Sequence, residues 1–215
     1  MNKPTLRRAL VVIDVQNEYF PGGGLPIEYP PVEQSLPNIT RAMDAARAAG
    51  IPVVVVRHHA PQGAPLFQAD AHNGQLHPEI ARRPRDHLVT KTFPSVFTGT
   101  DFADWIERHR IGTLSIAGYM THNCDAATAF EAMHRGLHAE FLADASGALP
   151  YANAAGRATA EEIHRVFSVV FHSNFAAVTT TSAWIAAIQA GQGIEKDNVL
   201  LSNRRGRAGE TARQG

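Results

Sequence analysis

Short β-branched runs recur along the chain between longer stretches of helical patterning. "ALVVID" (9–14), "PVVVVR" (52–57), "HLVTK" (87–91), "TLSIAG" (113–118), "HAEFLAD" (138–144) and "FAAVTTT" (175–181) read as strands. The first two are apolar nearly throughout, as strands covered on both faces are. Helices are predicted over 32–49, 100–110, 122–135, 157–168 and 181–190. Gly50, Gly136 and Gly191 follow the first, third and last of these, where a left-handed cap would sit. Such alternation builds βαβ units. The expected fold is α/β: a three-layer α/β/α, doubly wound, six-stranded and mainly parallel sheet of order 3-2-1-4-5-6.

Two regions break the rhythm. Residues 58–86 form a connection far longer than the ~2–6 residues usual in α/β units, and such loops are typically lids, binding loops or contact arms. After Gly193 the chain turns polar and arginine-rich, so the expected division is one domain over 1–193 and a polar tail over 194–215. No linker or internal repeat splits the domain.

Charge narrows the partners. The 20 basic residues balance the 20 acidic ones, so no global field favours nucleic acid or an anionic membrane, and a small molecule is the expected partner. No apolar run approaches the ~20 residues that span a bilayer. The first residues run into strand-like sequence rather than a secretory core, and the chain holds a single cysteine. A reduced, cytoplasmic protein is expected.

That cysteine, Cys124, stands where the fourth strand gives way to a helix. Ligands of open α/β sheets sit beyond the carboxyl ends of the strands. The first strand ends in Asp14, the third in Lys91, and the fourth leads through Gly118 to Cys124, so the three face one rim. Each has an ordinary alternative, as a turn acid, a solvated strand end or a packed thiol. Together they make a coherent set. Asp14 could take the proton of the thiol, and Lys91 would keep that aspartate ionised. Attack on an amide would give a thioester, with Asp14 protonating the leaving nitrogen and later activating water. Backbone N–H groups at the head of the Cys124 helix could stabilise the oxyanion by ~3 kcal/mol per donor. In the expected strand order Lys91 must reach across the second strand to meet Asp14.

The motifs "DVQNEY" (14–19), "KTFPSVFTGT" (91–100) and "GYMTHNC" (118–124), in this order and spacing, resemble those of the isochorismatase-like cysteine hydrolase superfamily. The resemblance runs from about Ala9 to about Ala190. It implies that Asp14, Lys91 and Cys124 are a catalytic triad, that the Tyr119–Met120 peptide is cis without proline, and that the N–H groups of Met120 and Cys124 form the oxyanion hole. It also implies a homo-oligomer, dimer or tetramer, with Trp105 and Trp184 either at an interface or buried against the sheet.

Within the superfamily, Cys124 argues against vinyl-ether cleavage, which proceeds without a cysteine nucleophile. Nicotinamidases carry a metal on an Asp-x-His after the second strand; here "VVVVRHHAPQG" (53–63) puts Arg57 at the aspartate position, although His59 remains. The spacing of His58, His59, His72 and His77 matches no chelate. No metal and no cofactor are expected, and "PGGG" (21–24) reads as a flexible turn, not a phosphate loop. The remaining activity is hydrolysis of a C–N bond in a small amide of carbamoyl, ureido or lactam type. Phe20, His58, Phe93, Phe97, Tyr119, His122 and Asn123 are the expected substrate-binding residues, with Gln16 and Asn17 bracing the turn. The alternatives are a nicotinamidase-like, metal-assisted amidase and a silent relative that serves as a binding or scaffold protein.

Overall fold

The computed structural model describes residues 7–209. The ends of both expected segments, 1–6 and 210–215, lie outside the described residues. Six strands form one parallel sheet: β1 (Arg8–Ile13), β2 (Val53–His58), β3 (His87–Lys91), β4 (Thr113–Tyr119), β5 (His138–Gly147) and β8 (Ala177–Thr179). Their order is β3-β2-β1-β4-β5-β8. This is the expected order, with β8 as the sixth strand because a hairpin intervenes.

β1 explains the sandwich. Ala9 to Ile13 are all fully buried, and alternate side chains enter two different cores. Ala9, Val11 and Ile13 pack with Val54, Val56, Leu114 and Phe102 on the face that carries α3 (Phe102–Arg108), α4 (Ala126–His134) and α5 (Ala160–Val170). Leu10 and Val12 pack with Val53, Val55, Ile39, Met43 and Trp184 on the face of α1 (Val32–Ala48) and α6 (Thr181–Gln189). Each of these aliphatic side chains contributes roughly 1.5–3 kcal/mol by leaving water. Trp184 is fully buried, donating from Nε1 to Ser115 and Glu140, and Trp105 is 5% exposed. Gly50, Gly136 and Gly191 all take positive φ at the ends of α1, α4 and α6.

One expectation needs correction, and two regions gain detail. The helix placed at 157–168 begins at Ala160, behind a capping box in which Thr159 and Glu162 bond each other's main chain. An antiparallel hairpin, β6 (Tyr151–Asn153) with β7 (Gly156–Ala158), occupies the residues before it. The polar tail also holds a helix, α7 (Val199–Ala208), started by the Asn198 side chain accepting from Leu201 N. The long connection contains α2 (Pro78–Ala81) and is tied down along its length.

Gly118 sets how closely β4 approaches β1. Its φ is +120°, and a Cβ there would lie 2.1 Å from the Ile13 carbonyl oxygen. Gly118→Ala is therefore expected to destabilise the fold by about 3 kcal/mol, lowering Tm by roughly 6–12 °C in a thermal melt. An unchanged Tm would show that the strands separate freely at this point.

Candidate active site

The strand ends deliver the site. Asp14 follows β1 with a φ of +50°, a left-handed turn that a short polar side chain tolerates, and its N–H donates to Val56 O at 3.0 Å. β3 runs in register with β2, pairing Lys91 with His58. From there the Lys91 side chain crosses β2, and Nζ lies 2.6 Å from Asp14 Oδ2 with both side chains wholly excluded from solvent. The same Nζ donates to Cys124 Sγ at 3.2 Å. Cys124, 5% exposed, sits in the Thr121–Asp125 π-turn that leads β4 into α4. The Tyr119–Met120 peptide before it is cis.

Electrostatics at this cluster describe a thiol beside an ion pair. Burial pushes the Cys124 thiol well above its ordinary range; the Asp14 carboxylate pushes the same way, and Lys91 opposes it. Burial, reinforced by the Asp14 carboxylate, therefore favours the protonated thiol at rest. Burial works against the Lys91 charge, but attraction to Asp14 and Cys124 outweighs it, and the ammonium titrates higher than usual. His58 Nδ1 lies 3.4 Å from Lys91 Nζ, and burial followed by Lys91 holds this histidine down toward the neutral form.

Residues 14–25 and the long connection lock together. Gln16 donates from Nε2 to the carbonyls of His58 and Gly74 at 2.9 and 2.7 Å and accepts from His58 N at 2.8 Å. Asn17 donates to His72 O at 3.0 Å. The buried Glu18 accepts from Gly24 N at 2.6 Å and Phe67 N at 3.1 Å. Two glycines of the "PGGG" turn are closely packed: a Cβ at Gly23 would lie 2.2 Å from Glu18 O, and one at Gly24 would meet Leu66 at 2.6 Å.

The expected substrate contacts divide. Phe20 lies against His77 at 4.2 Å and Tyr119 at 6.0 Å between ring centroids. Tyr119 is fully buried, its hydroxyl 2.7 Å from Ser35 Oγ, and burial raises its pKa. Asn123 is half-buried, its N–H donating to Met120 O at 3.0 Å. His122 rests edge-on against Tyr151 at 4.9 Å, with neither ring nitrogen hydrogen-bonded among the described residues, and burial lowers its pKa to about 4. Phe93 is 54% exposed. Phe97 is corrected: it is 4% exposed, packed on Phe102 at 5.1 Å beneath the Arg135 guanidinium, and belongs to the core. Its "S-x-F" setting resembled a rim position, but the chain turns inward there, with Val96 N donating to Thr128 Oγ1 at 3.2 Å.

Sequence reasoning missed Tyr19, Phe67 and Tyr151. Tyr19 packs between Phe67 (5.3 Å, tilted) and Tyr119 (5.5 Å, edge-on), and the hairpin carries Tyr151 to His122. A metal does not fit the second-strand end: Arg57 donates to Thr90 Oγ1 at 3.0 Å, and among the described residues no three His, Cys, Asp or Glu side chains gather as an ion would need.

Asp125 was also missed. It is fully buried next to Cys124; burial, then Asp14, raises its pKa to about 8, while a nearby but poorly aligned Ser146 hydroxyl slightly opposes this. A carboxyl whose folded pKa lies above its unfolded value binds its proton more tightly in the folded state. Its contribution to stability is fully present below the unfolded pKa, near 4, and is lost as pH rises toward 8. Asp125→Asn should thus gain on the parent between pH 5 and 8, by roughly 2–4 kcal/mol. Urea unfolding at both pH values measures this, and a parent that stays ahead at pH 8 would mean the Asp125 charge is compensated.

With this geometry in view, the chain can be set against known proteins. The isochorismatase domain model matches residues 8–183. The chain belongs to the isochorismatase family. A solved Burkholderia xenovorans protein assigned to the isochorismatases is 59% identical, covers 94% of this chain and 97% of its own, and superposes with a TM-score of 0.93. A cysteine hydrolase from Pseudomonas syringae pv. phaseolicola is 25% identical with a TM-score of 0.79, over 89% of this chain and all (100%) of its own. The N-carbamoylsarcosine amidase of an Arthrobacter species is 28% identical over 61% of this chain, a match that spans 56% of the amidase. This chain is an isochorismatase-family hydrolase by membership. Among its described residues no helix is long and apolar enough to cross a membrane.

Proposed function

We propose that the protein is a cysteine hydrolase that cleaves a C–N bond of a small amide through a thioester. One observation carries this reading: Lys91 Nζ lies within contact of both Asp14 Oδ2, at 2.6 Å, and Cys124 Sγ, at 3.2 Å, inside a dry site. A thiol held protonated at rest needs a base at the moment of attack, and Asp14 is the acceptor beside it. As sulfur bonds to the substrate carbonyl, the thiol proton passes to Asp14. The oxyanion is received by the N–H groups of Met120 and Cys124. Asp14 returns the proton to the leaving nitrogen, the amine departs, and a thioester remains on Cys124. Water then gives a proton to Asp14 and attacks the thioester, releasing the acid and restoring the thiol.

The amide class in this reading is carbamoyl, ureido or lactam. Burial lowers the His122 pKa to about 4 with neither ring nitrogen hydrogen-bonded among the described residues, His58 is held toward neutral, and the ring of Phe20 stands nearby, which supports an uncharged, planar group. The similarity to N-carbamoylsarcosine amidase supports the same class.

The test is an intact-mass assay after mixing with a panel of ureido, carbamoyl and lactam compounds and quenching in acid. The expected result is an acyl adduct on the wild-type chain, absent from Cys124→Ala, together with release of amine or ammonia. Turnover that survives in Cys124→Ala would sink the mechanism.

A further inference from the structure

Cys124 has no open approach. It is 5% exposed, and Asp14 and Lys91 beside it are wholly excluded from solvent. Part of the rim must therefore move before a solute can reach the sulfur. Most of the rim is tied. Gln16, Asn17 and Glu18 bind residues 14–25 to the long connection, and Thr121 Oγ1, 2.8 Å from His164 Nδ1, joins the nucleophile's own turn to α5.

The β6–β7 hairpin lacks such ties. Three residue pairs hold its strands together, residues 151–157 are all exposed, and among the described residues it makes no hydrogen bond or ion pair to another element. A two-stranded hairpin has little stability of its own in water. Its contact with the body is Tyr151, 43% exposed, whose ring stands edge-on to His122 at 4.9 Å. The phenol of Tyr151 is raised by burial and then by Cys124, so this ring lies within the field of the sulfur.

The closed position balances two opposed effects. The aromatic contact favours it. Against it, closure leaves both ring nitrogens of His122 shut from water without a partner among the described residues, and unmatched buried polar atoms are costly. Lifting the Tyr151 ring returns water to that imidazole, so opening recovers hydrogen bonds as it loses packing.

We infer that residues 151–158 form a flap over Cys124, turning about Pro150 and Thr159, with Tyr151 as the latch that closes on His122. Tyr151 thereby sets which solutes reach the sulfur. The flap concerns access alone and does not rest on the amide chemistry proposed above.

Alkylation of Cys124 in the full-length protein tests this, followed by intact mass at about pH 9 with iodoacetamide and with the bulkier 2-iodo-N-phenylacetamide. Tyr151→Ala should speed the reaction with iodoacetamide by about tenfold and that with the phenyl reagent by more, as loss of the latch favours the open flap. Its Tm should stay within roughly 2 °C of the parent, because the residue stands at the surface. Tyr151→Phe keeps the ring and should react as the parent does. Pro150→Gly loosens the hinge with the ring in place and should speed alkylation by about two- to fivefold. If Tyr151→Ala unfolds, Pro150→Gly carries the test, and parental rates in it overturn the inference. Parental rates in a folded Tyr151→Ala would also overturn it. So would acceleration of both reagents by one common factor in that variant, which a lowered thiol pKa would produce, or a Tyr151→Phe variant as fast as Tyr151→Ala.

Discussion

Lys91→Met is expected to lose about 3–5 kcal/mol of stability together with nearly all turnover. The reason lies in what it leaves behind. Asp14 has no solvent access, and its ion pair with Lys91 at 2.6 Å is the contact that compensates its charge. Methionine fills most of the lysine stem's volume, so lost packing is a small part of the effect. Combining Lys91→Met with Asp14→Asn removes both charges and should recover most of the stability but none of the activity. Urea unfolding of the parent, both single variants and the double variant gives the coupling energy directly. If the double variant is no more stable than Lys91→Met alone, the buried charge is not what destabilises it, and the lysine matters for packing instead.

The same burial explains what could be read from the sequence and what could not. β1 and β2 were legible because a strand covered on both faces must be apolar at every position, and Ala9–Ile13 and Val53–Val56 are. Sheet order followed from chain order and the handedness of βαβ units. The meeting of Asp14, Lys91 and Cys124 was legible because each stands at a strand's carboxyl end. Their electrostatics were not: a raised thiol depends on how much solvent reaches Cys124, which spacing does not encode. Asp125 was overlooked for that reason too, since a lone acid in a helical pattern reads as solvated until its neighbours are known. The hairpin of "YANAAGRA" lacks β-branched residues, and α7 looked like a tail because its later turns are rich in arginine, itself a good helix former. The glycines at 22–24 looked like a flexible turn, although Glu18 accepts from Gly24 N and Phe67 N and ties the turn to the long connection.

Asp14→Asn should separate two properties that usually fall together. Turnover is expected to drop by roughly 10²–10⁴-fold, because asparagine cannot accept the thiol proton. Reaction of Cys124 with iodoacetamide at pH 7 should instead speed up. Burial does most to hold the thiol protonated and the Asp14 carboxylate adds to it; removing the carboxylate leaves the Lys91 ammonium, 3.2 Å from the sulfur, opposed by burial alone. Asparagine also suits the left-handed backbone at position 14, so the turn itself should persist. The thiol pKa, read from the pH dependence of alkylation and followed by intact mass, is therefore expected to lie above the free-cysteine value of ~8.5 in the parent and to fall in the variant. A base that takes the proton only during attack predicts this opposition of signs. A carboxylate that merely orients Lys91 predicts the reverse: with the lysine released, alkylation would slow in step with turnover.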